Sequence, residues 1–137
     1  MAHRIRQVDY YYTTIEDAPG SSFEVLSRLA ELGVNLIAIA ALPLGPTRTQ
    51  LTVFPEDDAH MERTAGAAGM TLDGPHPALL VQGDDELGAL VGVHERLASA
   101  GINVYSSIGV TDGKGDYGYV VYLRPDEVDR ALKTLGV

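Results

Sequence analysis

The hydrophobic pattern of the first half of the chain switches between two periods. Residues 5–15 are rich in β-branched and aromatic side chains, which predicts a long strand. Val25, Leu29 and Leu32 then follow helical spacing. Gly33 stands where a helix commonly ends in a left-handed residue. Further strands are predicted at residues 35–42, 47–54 and 70–72, with a turn at 43–46 and a second helix after Pro55.

The second half of the chain repeats this order of elements. Turn-forming residues 73–77 predict a linker. The elements predicted after it are a strand at 78–82, a helix at 89–100, a strand at 103–110, a hairpin turn at Asp112-Gly113, a strand at 117–123 and a helix from Pro125. The second copy is therefore expected to lack a final strand, and an open sheet edge invites pairing. We expect residues 3–7 of the long first strand, or a second chain, to cover that edge.

The duplication is also visible in the letters of the sequence. Residues 28–36 recur in similar form as residues 96–104. The offset between Arg28 and Arg96 is 96 − 28 = 68 residues. The same offset brings the loop 17–20 onto the loop 85–88. A period of this length indicates two copies of one small module. The sequence therefore predicts two units, residues 1–73 and residues 74–137.

Composition and charge narrow the classes of function. Hydrophobic residues make up 45% and charged residues 21% of the 137 positions, as in ordinary globular proteins. The net charge of −9, with only Arg4 and Arg6 forming a close basic group, argues against nucleic acid as a partner. No apolar run is long enough for a membrane span. We expect a cytoplasmic protein that binds neither membrane nor nucleic acid.

The sequence offers no defensible catalytic or metal-binding set. It contains no cysteine, and its four histidines lack paired metal spacing. The glycine pattern at 113–118 leads into a strand, so the dinucleotide-binding interpretation fails on context. No serine lies in a nucleophile elbow. We predict a protein that is not an enzyme and has no catalytic residues, metal site or cofactor.

The loop and helix exit of each copy resemble a known family. An acidic-x-Pro-Gly loop at 17–20, an amphipathic helix, and Gly33-Val34-Asn35 opening a strand are similar to the ACT domain. The resemblance covers nearly the whole chain as two tandem copies. It implies an α+β fold of two ferredoxin-like βαββαβ units with antiparallel sheets and helices on one face, the last strand of the second being missing. It also implies binding of amino acids or similar small ligands at an interface between units.

The residue chemistry of the two loops suits a zwitterion. A glycine without Cβ lets a ligand approach the backbone, and the following helix N-terminus suits a carboxylate. An aspartate in the loop can hold an ammonium group, and an asparagine offers both donor and acceptor atoms. The candidate ligand-binding residues are Asp17, Pro19, Gly20, Ser21, Asn35, Leu36, Asp85, Gly88, Asn103 and Val104.

Each of these residues also has a purely structural interpretation. The glycines serve equally well as turn residues, and the asparagines can cap the helix exits through local backbone bonds. The aspartates can be solvated loop carboxylates or caps. The second loop has Leu87 in place of proline and an added charge at Glu86, so the sequence favours the first copy as the ligand site.

The function predicted from these features is small-molecule sensing. The ligand is expected to be an amino acid that acts through ligand-dependent association of ACT units, in a homodimer whose output passes to a partner enzyme or regulator. The alternative is a structural adaptor without a working ligand site, which binds another protein through its sheet edge.

Overall fold

The computed structural model describes residues 3–137. Among these residues it contains six strands, four α-helices and one 3₁₀ turn. In chain order they are β1 (His3–Glu16), α1 (Ser21–Glu31), β2 (Leu36–Leu44), β3 (Arg48–Pro55), α2 (Asp58–Ala67), β4 (Asp73–Asp84), α3 (Val91–Ser99), β5 (Ser106–Thr111), β6 (Asp116–Tyr122), the 3₁₀ turn Pro125–Glu127 and α4 (Val128–Thr134). The predicted α+β class with antiparallel strands is confirmed.

The chain forms two compact units. One unit, called the first unit below, comprises residues 9–76. The other, the second unit, combines residues 3–8 with residues 77–137. The sequence predicted a single cut after residue 73, and residues 1 and 2 of that predicted unit lie outside the described part of the chain.

In the first unit the strands follow the order β2-β3-β1. Residues 11, 51 and 53 alternate with residues of the opposite face, as strand geometry requires, and they share a core with both helices. That core contains Tyr11, Leu29, Leu51, Val53 and Met61, each no more than 4% exposed. Leu29 comes from α1 and Met61 from α2, so both helices cover the same face of the strands.

In the second unit the strands follow the order β1-β4-β6-β5. Its core joins Leu79 and Val121 of the sheet to Leu97 of α3 and Ala131 of α4. Ile5 of β1 belongs to the same core and is 8% exposed. The expectation that the opening segment covers the free edge is confirmed, because residues 3–8 group with this unit beside β4.

The start of β4 differs from the prediction. Residues 70–72 are irregular, and the predicted linker 73–77 is part of the strand. Gly74 explains this use of turn-forming residues, because a Cβ there would lie 2.7 Å from the Tyr10 carbonyl oxygen and 2.7 Å from Cδ2 of Tyr11. Residues 73–76 therefore lie against β1 within the first unit. There the ring of His76 packs beside the rings of Tyr10 and Tyr12, with 5.3 Å between the ring centroids in each pair.

Smaller differences concern the ends of elements. β2 continues through Pro43 to Leu44, β5 begins only at Ser106, and α3 begins at Val91. No serine side chain caps α1, whose N-cap is Gly20 in the left-handed region. No helix among residues 3–137 is both long and apolar enough to cross a membrane.

Candidate functional site

The loop before α3 forms one wall of a cavity of about 510 Å³ in the second unit. The start of α3 and the facing ends of β5 and β6 supply the other walls. Among the lining residues are Asp85, Gly88, Leu90, Val110, Tyr117 and Tyr119. We call this space the helix-side cavity. It contains two of the residues predicted from the sequence, Asp85 and Gly88.

The start of α3 has no side-chain cap. Its N-cap residue is Leu90, no side chain accepts a hydrogen bond from the first turn, and that turn carries no acidic residue. A helix begins with backbone N–H groups that lack intrahelical acceptors and carry partial positive charge. The helix-side cavity is therefore suited at this wall to a negatively charged group.

Tyr117 contributes a buried hydroxyl group without a partner. Its side chain is 8% exposed, and its hydroxyl has no hydrogen-bond partner within the described residues. Burial raises the pKa of Tyr117, and the charges of Asp84 and Glu86 raise it further. The hydroxyl therefore stays protonated at neutral pH, where it can both donate and accept a hydrogen bond.

Tyr119 is fixed from two sides. Its hydroxyl donates to Ser107 Oγ at 2.8 Å, and Nε2 of His94 on α3 is hydrogen-bonded to the same hydroxyl at 2.7 Å. A Cβ at Gly109 would lie 2.9 Å from Cδ1 of the Tyr119 ring, so the glycine makes room for the ring. His94 stands where the first copy has Leu26, which is the sequence signal that distinguishes the two helices.

Asn103 and Val104 do not take part in the helix-side cavity. They follow the far end of α3, whose nine residues span about 14 Å. Asn103 is exposed, whereas Val104 is half-buried against the core of the second unit. The structure therefore brings Asp85 and Gly88 together and leaves Asn103 at the opposite end of the helix.

The candidate residues of the first unit are divided in the same way. Asp17, Pro19 and Gly20 are exposed and Ser21 is half-buried at the start of α1. The backbone N–H of Asp17 donates to the Thr47 carbonyl at 2.9 Å, which anchors this loop to the β2–β3 turn. The 11 residues of α1, about 16 Å in length, separate the loop from the second group of candidates.

Asn35 lies in a small polar cavity of about 210 Å³ with Glu56, Asp57 and His60. Its Nδ2 group donates to Glu56 Oε2 at 2.6 Å. Leu36 opens β2 and packs against the first core. Neither this cavity nor two others in the first unit, of about 280 and 230 Å³, includes any of the residues 17–21.

Sequence reasoning missed a further cavity of the second unit, of about 520 Å³. It lies where β1 begins, β4 ends and β6 begins, and we call it the acidic cavity. Its wall includes His3, Arg4, Gln82, Asp84, Asp112 and Asp116. These residues come from three distant parts of the chain, so no local pattern could have identified them. Residues 110, 111, 117 and 118 line both cavities.

Metal-ligating side chains are not gathered at either cavity. Within residues 3–137, no group of three or more histidine, aspartate or glutamate side chains is placed to hold a metal ion.

Comparison with known proteins identifies the fold. No protein-family model matches the sequence, and no curated protein matches it. Protein BT0572 of Bacteroides thetaiotaomicron has a similar structure, with a TM-score of 0.79, 17% identity, and coverage of 96% of this chain and 88% of that one. The ligand-free regulatory subunit of aspartate kinase from Thermus thermophilus is similar with a TM-score of 0.63, 18% identity, and coverage of 98% and 95%. The corresponding subunit from Thermus flavus gives a TM-score of 0.58, 18% identity, and coverage of 98% and 93%. These likenesses support the ACT-like fold that the sequence predicted.

Proposed function

We propose that this protein is a regulatory sensor without catalytic activity, and that it binds an amino acid in the helix-side cavity. One observation carries the proposal. The predicted residues Asp85 and Gly88, the uncapped start of α3 and the unpartnered hydroxyl of Tyr117 meet around a single cavity. Its volume of about 510 Å³ lies within the range of small-molecule sites.

The charges of the cavity suit the two ends of an amino acid. Its charged lining residues are Asp85 and Glu86, which attract the ligand ammonium group. Among its described lining residues there is no lysine, arginine or histidine, so the ligand carboxylate takes its place at the start of α3. The ligand side chain then lies against Leu90, Val110 and the ring of Tyr119.

The second copy is preferred over the first for this role. The first loop retains the Pro-Gly pair of the family, which made it the better candidate from sequence. Its residues, however, are absent from the three cavities of the first unit described above, whereas Asp85 and Gly88, which are equally exposed, line the helix-side cavity. We therefore assign the working ligand site to residues 85–91 and keep Asp17, Pro19, Gly20 and Ser21 as secondary candidates.

We propose that ligand binding acts through association of two copies of the chain. Asn103 and Val104, about one helix length from the cavity, are candidates to complete the site from a second copy. Asn35 is less suited, because its amide already donates to Glu56. The edge strand β2 supports self-association, since Ile39, Leu42 and Leu44 are 46%, 61% and 46% exposed.

The output of such a sensor would pass to an enzyme or regulator, as in the aspartate kinase regulatory subunits that share the fold. The competing function is an adaptor with no ligand. The apolar edge strand β2 favours it, because natural edge strands are usually protected by charge. An adaptor would bind its partner equally well with or without amino acids.

A thermal-denaturation screen of the full chain against the twenty amino acids tests the proposal. A ligand that binds the native state raises the melting temperature, by an amount that grows with its concentration. Tyr117→Phe should weaken binding of the active amino acid by about 2- to 10-fold, because the variant loses one hydrogen bond to the ligand. Tyr105→Phe, at a ring that is 56% exposed, is the matched control. If no amino acid raises the melting temperature, the sensor proposal is wrong and the adaptor remains.

A further inference from the structure

The helix-side cavity has a charged end and an apolar end. Its charged lining residues, Asp85 and Glu86, are neighbours in the loop before α3, and the other described residues of its wall carry no charge. An amino acid is divided in the same way, because its ammonium and carboxylate groups are common to all members of the class and only its side chain varies. The apolar end of the cavity therefore determines which amino acid fits.

Tyr117 belongs to the charged end. It pairs with Gly83 of β4, two residues before Asp85, so it lies at the end of the strand pair where the loop begins. Its buried hydroxyl has no hydrogen-bond partner within the described residues. This hydroxyl is therefore available to the ammonium or carboxylate group that every amino acid carries.

Tyr119 forms the apolar end. It pairs with Val81, two residues further from the loop than Gly83, and it follows Tyr117 by about 7 Å along β6. Leu90, which packs against the second core, lines the cavity from the helix side. A ligand side chain that points away from the loop therefore meets the ring of Tyr119 and the side chain of Leu90.

The ring of Tyr119 is held in place before any ligand binds. Its hydroxyl joins β5 to α3 through the hydrogen bonds to Ser107 at 2.8 Å and His94 at 2.7 Å. The ring lies close against Gly109, and the residue is 7% exposed. Because the hydroxyl is already engaged on both sides, Tyr119 presents apolar ring surface to the cavity. A polar ligand side chain there would lose its water without gaining a hydrogen bond from this tyrosine.

The hydrogen bonds that hold the ring are specific to the second copy. At the offset of 68 residues the first copy has apolar residues in place of all three partners and alanine in place of the glycine, namely Leu51, Leu26, Ile39 and Ala41. Polar side chains thus replace aliphatic ones only where the cavity exists. Their common effect is to fix one aromatic ring in its wall.

We propose that the helix-side cavity selects amino acids with an uncharged, apolar side chain, and that Tyr119 determines this specificity. The inference rests on the proposed function of the cavity as an amino-acid site. An aspartate or glutamate ligand would bring a further negative charge to a wall whose charges are already negative. A lysine or arginine ligand would place its charged group against Tyr119 and Leu90, away from the two carboxylates of the loop, at the cost of its hydration.

Isothermal titration calorimetry of the full chain with amino acids of matched size tests the proposal. Leucine is compared with asparagine and aspartate, and methionine with glutamine, glutamate and lysine. We expect the apolar member of at least one set to bind about 10-fold or more tightly than the others, because only its side chain gains from burial at Tyr119. Tightest binding of a polar or charged amino acid would overturn this inference and leave the proposed function intact. Failure of all twenty amino acids to bind would overturn both.

Two variants distinguish the two ends of the cavity. Tyr117→Phe should weaken the binding of leucine and asparagine by the same factor, because its hydroxyl contacts the part that they share. Tyr119→Leu, which introduces the residue of the first copy, should reduce the ratio of the two affinities by about 3-fold or more, because leucine loses contact with the ring. Tyr105→Leu, at an exposed ring of the same unit, is the matched control and should leave the ratio unchanged.

A further variant keeps the test valid if Tyr119→Leu does not fold, as judged by circular dichroism. His94→Leu/Ser107→Ala alters two exposed residues and retains the Tyr119 ring, but releases it from both hydrogen bonds. The ratio of leucine to asparagine affinity should fall here as well. A ratio that stays at the wild-type value in every folded variant of this set would show that Tyr119 does not determine specificity.

Discussion

The two copies of the repeat have the same strand register, but different sheet residues face the loop before the first helix of each copy. In the first unit Ile15 pairs with Thr49 and Thr13 with Leu51. In the second, Gly83 pairs with Tyr117 and Val81 with Tyr119, at the same positions of the repeat. The facing residue on the next strand is Ala41 in the first unit and Gly109 in the second. A cavity beside the loop thus accompanies two tyrosines and one glycine on an otherwise equivalent backbone.

The comparison also shows that the loop with the Pro-Gly pair is not the loop that lines a cavity. Both loops are exposed, and both are anchored by the backbone N–H of their aspartate, which donates to the Thr47 carbonyl in the first unit and to the Gly115 carbonyl in the second. The first loop keeps the Pro-Gly signature. The second loop has lost the proline, yet it walls the helix-side cavity. The cavity therefore depends on the residues that face the loop from the sheet and not on retention of the Pro-Gly pair.

The largest effect should come from the strand that closes the first unit. Gly74→Ala places a Cβ 2.7 Å from the Tyr10 carbonyl oxygen, at a backbone φ of 156° that favours glycine. We expect a loss of about 3 kcal/mol in the free energy of unfolding, measured by urea denaturation. Gly66→Ala, where a Cβ meets nothing within 4 Å on α2, should stabilise slightly. Equal effects of the two substitutions would contradict the close packing of residues 73–76 on β1.

The strand that closes the second unit should come next. Ile5→Ala removes a side chain that is 8% exposed in the second core and should cost about 2 kcal/mol. Hydrogen exchange should show faster opening in β4 and β6, with less change in β2 and β3. Arg6→Ala, at a neighbouring exposed position, is the control. Faster exchange confined to the first unit would show that residues 3–8 do not belong to the second.

Gly109→Ala makes the second unit resemble the first at one position. The new Cβ would lie 2.9 Å from the Tyr119 ring, so the ring must move away from Ser107 and His94. We expect a loss of about 1–2 kcal/mol in stability and weaker ligand binding at the helix-side cavity. Gly92→Ala on α3, where a Cβ meets nothing, should leave both quantities nearly unchanged. Unaltered binding in Gly109→Ala would show that Tyr119 does not shape the site.

The smallest effect concerns acid stability of the first unit. The Tyr12 hydroxyl and then His76 lower the pKa of Asp73 through hydrogen bonds. Because the folded-state pKa is depressed, this stabilisation is present above the pKa of an unfolded aspartate, about 3.9, and is lost as the pH falls further. Tyr12→Phe should therefore reduce the drop in melting temperature between pH 5 and pH 2. An unchanged pH profile, with Tyr105→Phe as control, would mean that the Tyr12–Asp73 bond adds nothing.

Much of the fold follows from local patterns in the sequence. Helical spacing with Gly33 and Gly101 predicted α1 and α3, and both glycines are in the left-handed region. The linker predicted at residues 73–77 is wrong. Aspartate, glycine and proline commonly form turns, but here these residues begin strand β4 beside β1. Two residues that line the candidate site, Asp85 and Gly88, can be picked out from the sequence because they belong to a recognisable repeated loop. For Tyr117 and Tyr119 the sequence pattern predicts only positions in a strand. Their place in the cavity wall depends on which loop faces them across the sheet, and that is not a local property of the sequence.

The split of the second unit between the two ends of the sequence has a consequence for how the protein is made. Residues 3–8 leave the ribosome about 70 residues before β4, the strand they lie beside. A strand pair with such a long loop between its members closes slowly. During synthesis residues 3–8 stay unpaired, with Ile5 and Val8 not yet buried, while residues 9–76 can already fold. A chain cut at the repeat boundary would separate residues 77–137 from residues 3–8, so the duplicated modules are no longer exchangeable as separate pieces.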